Sequence, residues 1–370
     1  EETFNCSNNA FFGTKMVLLQ RIKWLVLILS GCTFIYLLVL NFHTVNDHRD
    51  FAVYLQKLRM ISDKLVRIGW DDTTVDQWRR SLEVHEDTAA QAHCMLNNII
   101  IALPGETLQD HLWEYISLLV LRERWKNSGI SLGVFLAPKS KKALVDVLQK
   151  VHMDSVEEYS SSCLDFKQAK ILGHETNVEL EHHPIDIPRL FLLERGAKRY
   201  MEVIHGDLQW LRGTVVLKKT LQDEAKKKVA AFKQTFGRNS TKEVFLVGLH
   251  FGPNHFPFNV PTETYRAAVK SVQLWHENAG VLVLCPKSRM QFCQDNFDDD
   301  PRVRVLQADD QKNSLALLMH CQGNIIRSDL TFIAALLNDG EAVVLQSGVS
   351  EFDPAATVAH LLPKWIMLEN

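Results

Sequence analysis

Short apolar runs alternate with amphipathic stretches through the second half of the chain. Five runs have the length and composition of buried parallel strands, at 244–250, 280–284, 303–306, 324–326 and 342–345. Four stretches between them carry apolar residues at helical spacing, at 262–276, 289–296, 312–319 and 331–337. Strands that alternate with helices predict a parallel sheet covered by helices on both faces.

The first half follows the same pattern with longer irregular segments. Strands are predicted at 95–103 and 133–136, and helices at 108–125 and 140–151. A lysine-rich amphipathic helix at 218–236 closes this half. The prediction is therefore an α/β protein with two Rossmann-like domains, at 89–237 and 240–370.

One strand in the second half runs directly into a capped helix. The apolar run 324–326 precedes Ser328 and Asp329, either of which can cap the helix that ends near Asp339 and Gly340. The unpaired N–H groups and positive dipole end at such a turn favour a phosphate. This turn is the first candidate site.

The N-terminal region predicts a membrane anchor. Residues 24–40 are almost wholly apolar, long enough for ~30 Å of hydrocarbon, and Lys15, Arg21 and Lys23 precede them. The positive-inside rule then gives a cytosolic tail at 1–23, a signal anchor at 24–42, and a luminal remainder that begins with a stem at 43–88. A cleaved signal peptide is the alternative interpretation.

The composition of the chain limits the kinds of ligand that it is expected to bind. The 370 residues are 46% hydrophobic with a formal net charge of −3, which suits two cores and gives no electrostatic basis for binding nucleic acid. Seven cysteines lack zinc-ligand spacing, and in an oxidising lumen they allow one or two disulfides whose pairing stays open. His174, His182 and His183 are interpreted as solvated surface.

Two further segments have candidate roles on the luminal side. Asn239 begins a sequon and is a predicted N-glycosylation site. The segment 205–210 combines Trp210 with amide and carboxylate side chains, which suits a sugar-binding loop, although a tryptophan in a two-domain protein is more often part of the core.

Several segments resemble the galactoside α-1,2-fucosyltransferases, glycosyltransferase family 11. The resemblance rests on Ser314 to Cys321, Ile325-Ile326, 328–336 and the closing Leu362-Pro363-Lys364-Trp365, and more weakly on 112–115. It implies a single-pass type II Golgi membrane protein with two domains of the GT-B type, an acceptor-side domain at 89–237 and a nucleotide-sugar-binding domain at 240–370. The implied reaction is inverting transfer of L-fucose from GDP-β-L-fucose to the 2-hydroxyl of a galactose-terminated glycan, with no metal or other cofactor.

The same resemblance assigns site residues around 248–255. The family motif Gly-x-His-x-Arg-Arg-x-Asp aligns here, where Gly248 and His250 match but Gly252 and Pro253 replace both arginines. Gly248 and His250 are thus implied nucleotide contacts, with His250 also the candidate catalytic base. Positive charge for the pyrophosphate is predicted to come from His255 or Arg327.

Later positions complete the implied nucleotide site. Ser314 stands where the family has a carboxylate, and Asp309 or Asp310 just upstream is predicted to meet the N–H edge of guanine. Ser328 keeps the hydroxyl that faces the phosphate.

In the first domain, Gln109, Asp110 and His111 occupy the places of a Gly-Asn-Gln triplet. Two alternatives accompany the fucosyltransferase prediction. One is a non-catalytic relative that binds a luminal glycan or partner, and the other is a transferase that uses a different nucleotide sugar.

Overall fold

A computed structural model gives the fold over residues 70–84, 94, 96–126, 128–159, 161–173, 188–237, 243–252, 262–345 and 360–368. The predicted anchor at 24–42, Asn239, His255 and the histidines of the 174–183 segment lie outside these ranges. None of the helices within them is long and apolar enough to cross a membrane.

Ten α-helices and eleven strands are described in these ranges. The helices are α1 (Asp72–Ser81), α2 (Leu108–Trp125), α3 (Pro138–Val145), α4 (Tyr200–His205), α5 (Leu208–Thr214), α6 (Lys219–Phe236), α7 (Thr262–Trp275), α8 (Met290–Phe297), α9 (Gln311–Met319) and α10 (Asp329–Asn338). The strands are β1 (Asn98–Ala102), β2 (Leu132–Leu136), β3 (Asp154–Ser155), β4 (Lys170–Leu172), β5 (Arg189–Leu193), β6 (Phe245–His250), β7 (Ala279–Cys285), β8 (Val303–Gln307), β9 (Gly323–Ile326), β10 (Glu341–Leu345) and β11 (Trp365–Leu368).

The strands form two parallel sheets, which confirms the predicted mixed α/β class. The first sheet has the order β3-β2-β1-β5-β4 and the second has the order β11-β10-β9-β6-β7-β8. In each sheet the chain starts at a central strand, moves outward to one side and then crosses to the other. The direction therefore reverses between β1 and β5, and again between β6 and β9. At such a reversal the loops diverge and leave a crevice at the carboxyl edge.

The two halves share one hydrophobic core. Helix α2 is buried at every residue from 111 to 121, since it lies between the first sheet and helices α9 and α10 of the second half. The rings of Trp113 and Phe332 lie 5.3 Å apart across this junction, and Tyr200 and Trp365 extend the aromatic cluster. Most of the buried stretch is therefore apolar, and its few buried polar side chains need hydrogen-bond partners inside the protein.

The first half begins earlier than the predicted boundary at 89. The compact unit starts at Trp70, and α1 buries Val75 and Leu82 against Ile99 and Phe166. The predicted loop at 205–210 is the junction of α4 and α5, where the carboxylate of Asp207 accepts from the backbone of Trp210 and caps α5.

Two disulfides form within the described residues. Cys94 pairs with Cys163, and Cys285 at the end of β7 pairs with Cys293 on α8. Cys321 keeps its thiol, whose pKa is raised to about 12 by complete burial. This thiol is therefore unreactive at neutral pH.

Gly248 owes its place in β6 to packing against α9. A Cβ there would lie 2.5 Å from Cδ2 of Leu318 and 2.9 Å from Oδ1 of Asn324. Gly248→Ala is therefore expected to destabilise the fold by about 1–3 kcal/mol in denaturant unfolding. Gly213→Ala is the matched control, because that site in α5 has open space around it and alanine favours helix. Equal stability of the two variants would contradict this role.

Candidate functional site

The candidate site lies at the carboxyl edge of the second sheet, where the strand order reverses. His250 ends β6, and Ser328 follows β9, the neighbour of β6. Nδ1 of His250 lies 3.0 Å from Oγ of Ser328, and both side chains are buried. The fold thus joins two residues 78 positions apart at the reversal point.

A hydrogen-bond network around Ser328 assigns the proton on His250. Oγ of Thr331 donates to the carbonyl of Ser328 at 2.7 Å and accepts from the backbone N–H groups of Ser328 and Arg327. The Thr331 hydroxyl is therefore fully used, and the Ser328 hydroxyl can donate to Nδ1 of His250. That arrangement leaves the ring proton on Nε2.

Burial also fixes the charge of this ring. It lowers the pKa of His250 from 6.5 to about 4, because the buried site disfavours the charged imidazolium. The ring is therefore neutral at pH 7. It offers one N–H donor at Nε2 and shares its other nitrogen with Ser328.

A cavity of about 510 Å³ opens beside His250. Its other lining residues follow β7 and β8, and they are Pro286, Lys287, Ser288, Ala308, Asp309 and Gln311. Because β6, β7 and β8 are adjacent parallel strands, their carboxyl ends together form one wall of the crevice.

An ionised carboxylate lies in the cavity wall. Asp309 accepts a hydrogen bond of 2.7 Å from the backbone N–H of Lys287 and one of 2.6 Å from the amide of Gln307. The bond from Lys287, followed by that from Gln307, holds the pKa of Asp309 below its ordinary value. Each carboxylate oxygen has a second lone pair for a ligand N–H.

Arginines come from both strands that flank β6. Arg327 follows β9 and donates to the hydroxyl of Tyr265, and Arg289 follows β7 and acts on the same hydroxyl through its charge. Burial is the main influence on Tyr265, whose pKa it raises, so the phenol stays protonated. Both guanidinium groups therefore lie near the hydroxyl of Tyr265.

Two contacts connect the site to the first half of the chain. Nζ of Lys198, which follows β5, lies 2.5 Å from Oδ1 of Asp329 at the start of α10. The amide oxygen of Gln311 accepts from the backbone N–H of Leu108 at 3.0 Å. Because Lys198 compensates its charge, Asp329 does not present a bare carboxylate to an anion bound at this helix.

The structure brings only some of the predicted site residues together. His250, Ser328 and Arg327 lie at the reversal point, and Asp309 lies in the cavity. Asp310 instead caps α9 through the N–H of Lys312, and the buried Ser314 hydroxyl donates to the carbonyl of Asp310. Gly248 faces Leu318, and His255 lies outside the described ranges.

Sequence reasoning missed Lys287, Gln311 and Lys198. The sequence did contain a signal for Lys287. It lies shortly after the strand predicted at 280–284, and residues that follow a parallel strand line the crevice of the sheet. Gln311 and Lys198 act through contacts between the two halves, which no local pattern indicates.

Comparison with known proteins gives fold-level likenesses. No protein-family model matches the chain. No curated protein matches it either. Among described residues, no group of three or more histidine, cysteine or acidic side chains is placed to hold a metal ion.

Similar solved structures are glycosyltransferases. A glycosyl transferase family 9 protein from Veillonella parvula aligns over 75% of this chain and 88% of its own, at 12% identity and a TM-score of 0.43. Escherichia coli ADP-heptose lipopolysaccharide heptosyltransferase II aligns over 73% and 90%, at 13% identity and a TM-score of 0.37. POFUT1 in complex with GDP aligns over 74% and 99%, at 10% identity and a TM-score of 0.39. At these scores the likenesses decide nothing about function, which is inferred from the site.

Proposed function

We propose that this protein is a glycosyltransferase that binds a nucleoside-diphosphate sugar at the carboxyl edge of its second sheet. The observation that carries the proposal is the contact between His250 and Ser328 at the reversal between β6 and β9, beside the cavity of about 510 Å³. Read from β8 to β11, the strand order is that of nucleotide-binding Rossmann sheets, which bind their ligand at this point.

The donor proposed is GDP-β-L-fucose, and the acceptor is the 2-hydroxyl of a galactose-terminated glycan. The resemblance of 312–337 to the α-1,2-fucosyltransferases supports both assignments. The cavity adds a physical reason for guanine, because ionised Asp309 can accept hydrogen bonds from the adjacent N–H groups of that base. Adenine and uracil offer no such pair of donors on one edge.

His250 is assigned a donor role toward the diphosphate rather than the predicted role of base. Its Nδ1 is engaged with Ser328, and the hydrogen bonds of Thr331 support a ring proton on Nε2. A neutral N–H donor, the start of α10 and Arg327 together stabilise charge on the leaving diphosphate. The proton of the acceptor hydroxyl must then go to another group.

A luminal location in the Golgi, with an anchor at 24–42, is proposed with this activity. Two disulfides among the described residues support an oxidising compartment, because such bonds persist there and are rare in the cytosol. The predicted glycan at Asn239 requires the same side of the membrane.

Calorimetric titration of the full chain with GDP, ADP and UDP tests the proposal. We expect micromolar affinity for GDP and at least tenfold weaker binding of ADP and UDP. We also expect transfer of fucose from GDP-fucose to a β-galactoside such as lactose. Absence of nucleotide binding at millimolar concentration would instead favour the non-catalytic relative. Preference for UDP or ADP would favour a different nucleotide sugar.

Arg327→Ala is expected to weaken GDP binding about tenfold or more, because it removes a charge-assisted contact to the diphosphate. Arg266→Ala is the matched control. Arg266 is an exposed residue of α7, and it donates a hydrogen bond to the carbonyl of Asn296 on α8. Calorimetry on both variants decides the point. An unchanged GDP affinity for Arg327→Ala would dismiss this role.

A further inference from the structure

The loop between β1 and α2 is held by an unusual number of hydrogen bonds. The backbone N–H of Gly105 donates to Oε1 of Glu114 at 2.5 Å. The N–H groups of Glu106 and Thr107 both donate to Oδ2 of Asp110, at 3.1 and 3.0 Å. Two carboxylates of α2 thus fix three consecutive backbone amides.

The surroundings of this loop leave it little freedom to move. Glu114 is fully buried, and its other oxygen accepts from the Ser140 hydroxyl at 2.6 Å and contacts Nδ1 of His111 at 3.3 Å. A Cβ at Gly105 would lie 2.2 Å from the Cβ of Asp110, so the close approach requires glycine. Such rigid support is typical of a loop that presents a functional group.

The loop lies beside the nucleotide cavity. It leaves the carboxyl end of β1, next to β5, where the strand order of the first sheet reverses. Immediately after it, the N–H of Leu108 donates to Gln311, which lines the cavity. Gln311 follows β8, so the loop lies next to the side of the cavity that is formed by the residues after this strand.

Glu106 is the carboxylate that this loop leaves accessible. Its side chain is 75% exposed and contacts the guanidinium of Arg195, which follows β5, at 3.4 Å. Asp110 and Glu114 instead accept hydrogen bonds from the backbone of the loop.

We infer that Glu106 is the general base that takes the proton of the acceptor hydroxyl during sugar transfer. This inference rests on the proposed function. The acceptor O–H bond breaks and its proton passes to the Glu106 carboxylate, while the acceptor oxygen forms a bond to the anomeric carbon. The bond from that carbon to the diphosphate oxygen breaks, and the leaving nucleoside diphosphate keeps the electron pair. Glu106 later releases the proton to water.

The test compares Glu106→Gln with Glu194→Gln, a matched exposed glutamate that directly follows β5. For each full-length variant, GDP affinity is measured by calorimetry, and GDP release from GDP-fucose is measured with lactose and with water as acceptors across pH 5 to 9. We expect Glu106→Gln to keep its GDP affinity and lose about 100-fold or more in kcat. The acid limb of its pH profile should disappear, whereas Glu194→Gln should behave as the unchanged protein does.

The outcomes separate this inference from the proposed function. If the unchanged protein binds no nucleotide, the proposed function fails and the inference fails with it. If it binds GDP but releases none from GDP-fucose, the proposed fucose transfer fails and the base assignment fails with it. If transfer occurs and Glu106→Gln retains its rate and pH profile, only the base assignment is overturned. A loss of GDP affinity in Glu106→Gln would also overturn it, because a base for the acceptor does not hold the nucleotide.

Discussion

Trp113→Ala is expected to lower the free energy of unfolding by about 4 kcal/mol, because a large buried ring at the junction of the halves leaves a cavity that cannot close. Trp113 is 1% exposed. Its ring lies 4.8 Å from that of Tyr200 and 5.3 Å from that of Phe332, so truncation removes contacts with both halves at once.

Urea unfolding followed by circular dichroism measures this effect. Because one core spans both halves, Trp113→Ala should move a single transition to lower urea and leave its slope unchanged. Trp275→Ala is the control, since that ring is 45% exposed at the end of α7 and its removal should cost less than about 1 kcal/mol. Two separate transitions, of which only one moves, would show that the halves unfold independently.

Local pattern predicted most elements of the second half closely. The boundaries of β6, α7, β8 and α10 fall within two residues of their predictions, because each apolar run there is bounded by polar or turn residues. Helix α2 was predicted at its observed bounds. Its burial on every side was not, since the sequence of a helix does not reveal which element covers each face.

The first half was harder to predict for a physical reason. Strands β3 and β4 have only two and three residues at the ends of their sheet, too few to show a period. The parallel pairing of β5 with β1 joins segments about 90 residues apart, and such pairing leaves no local signal. The segment 205–210, where the short helix α4 ends and α5 begins, was likewise interpreted as a loop.

The residues of the candidate site were likewise predictable only in part. The rule that carboxyl ends of parallel strands meet at one edge places His250 near Ser328, and the family resemblance indicates the same two residues. The choice between Asp309 and Asp310 required the structure, because adjacent aspartates are equivalent in sequence until one is seen to cap α9. Lys198 was not predictable, since its partner lies 131 residues away.

The absence of the family's arginine pair does not leave this edge without positive charge. Gly252 and Pro253 occupy those places after β6, but Lys287 and Arg289 follow β7 on one side and Arg327 follows β9 on the other. Electrostatic stabilisation of a leaving diphosphate depends on where positive charges lie, not on which strand supplies them. Positive side chains thus follow both strands that flank β6, and the proposed chemistry would draw on these residues in place of the arginine pair.

Lys198→Ala is expected to destabilise the protein by about 3 kcal/mol, because it leaves the Asp329 carboxylate largely buried without its partner. The side chains of Lys198 and Asp329 are only 15% and 11% exposed, and their charged atoms lie 2.5 Å apart. The uncompensated negative charge would also lie at the start of α10, where the diphosphate is proposed to bind. GDP affinity should therefore fall together with stability.

Urea unfolding and GDP calorimetry on three variants separate these effects from the loss of a surface contact. Lys364→Ala breaks the exposed pair with Asp339, formed at 2.9 Å, and should cost less than about 1 kcal/mol with no change in GDP affinity. The double variant Lys198→Met with Asp329→Asn removes both charges and should recover most of the stability lost in Lys198→Ala, because the dominant cost is the unpaired buried carboxylate. If the double variant were as unstable as Lys198→Ala, the cost would lie in the lost packing of the lysine stem. The ion pair would then have no part in keeping this helix start able to accept a phosphate.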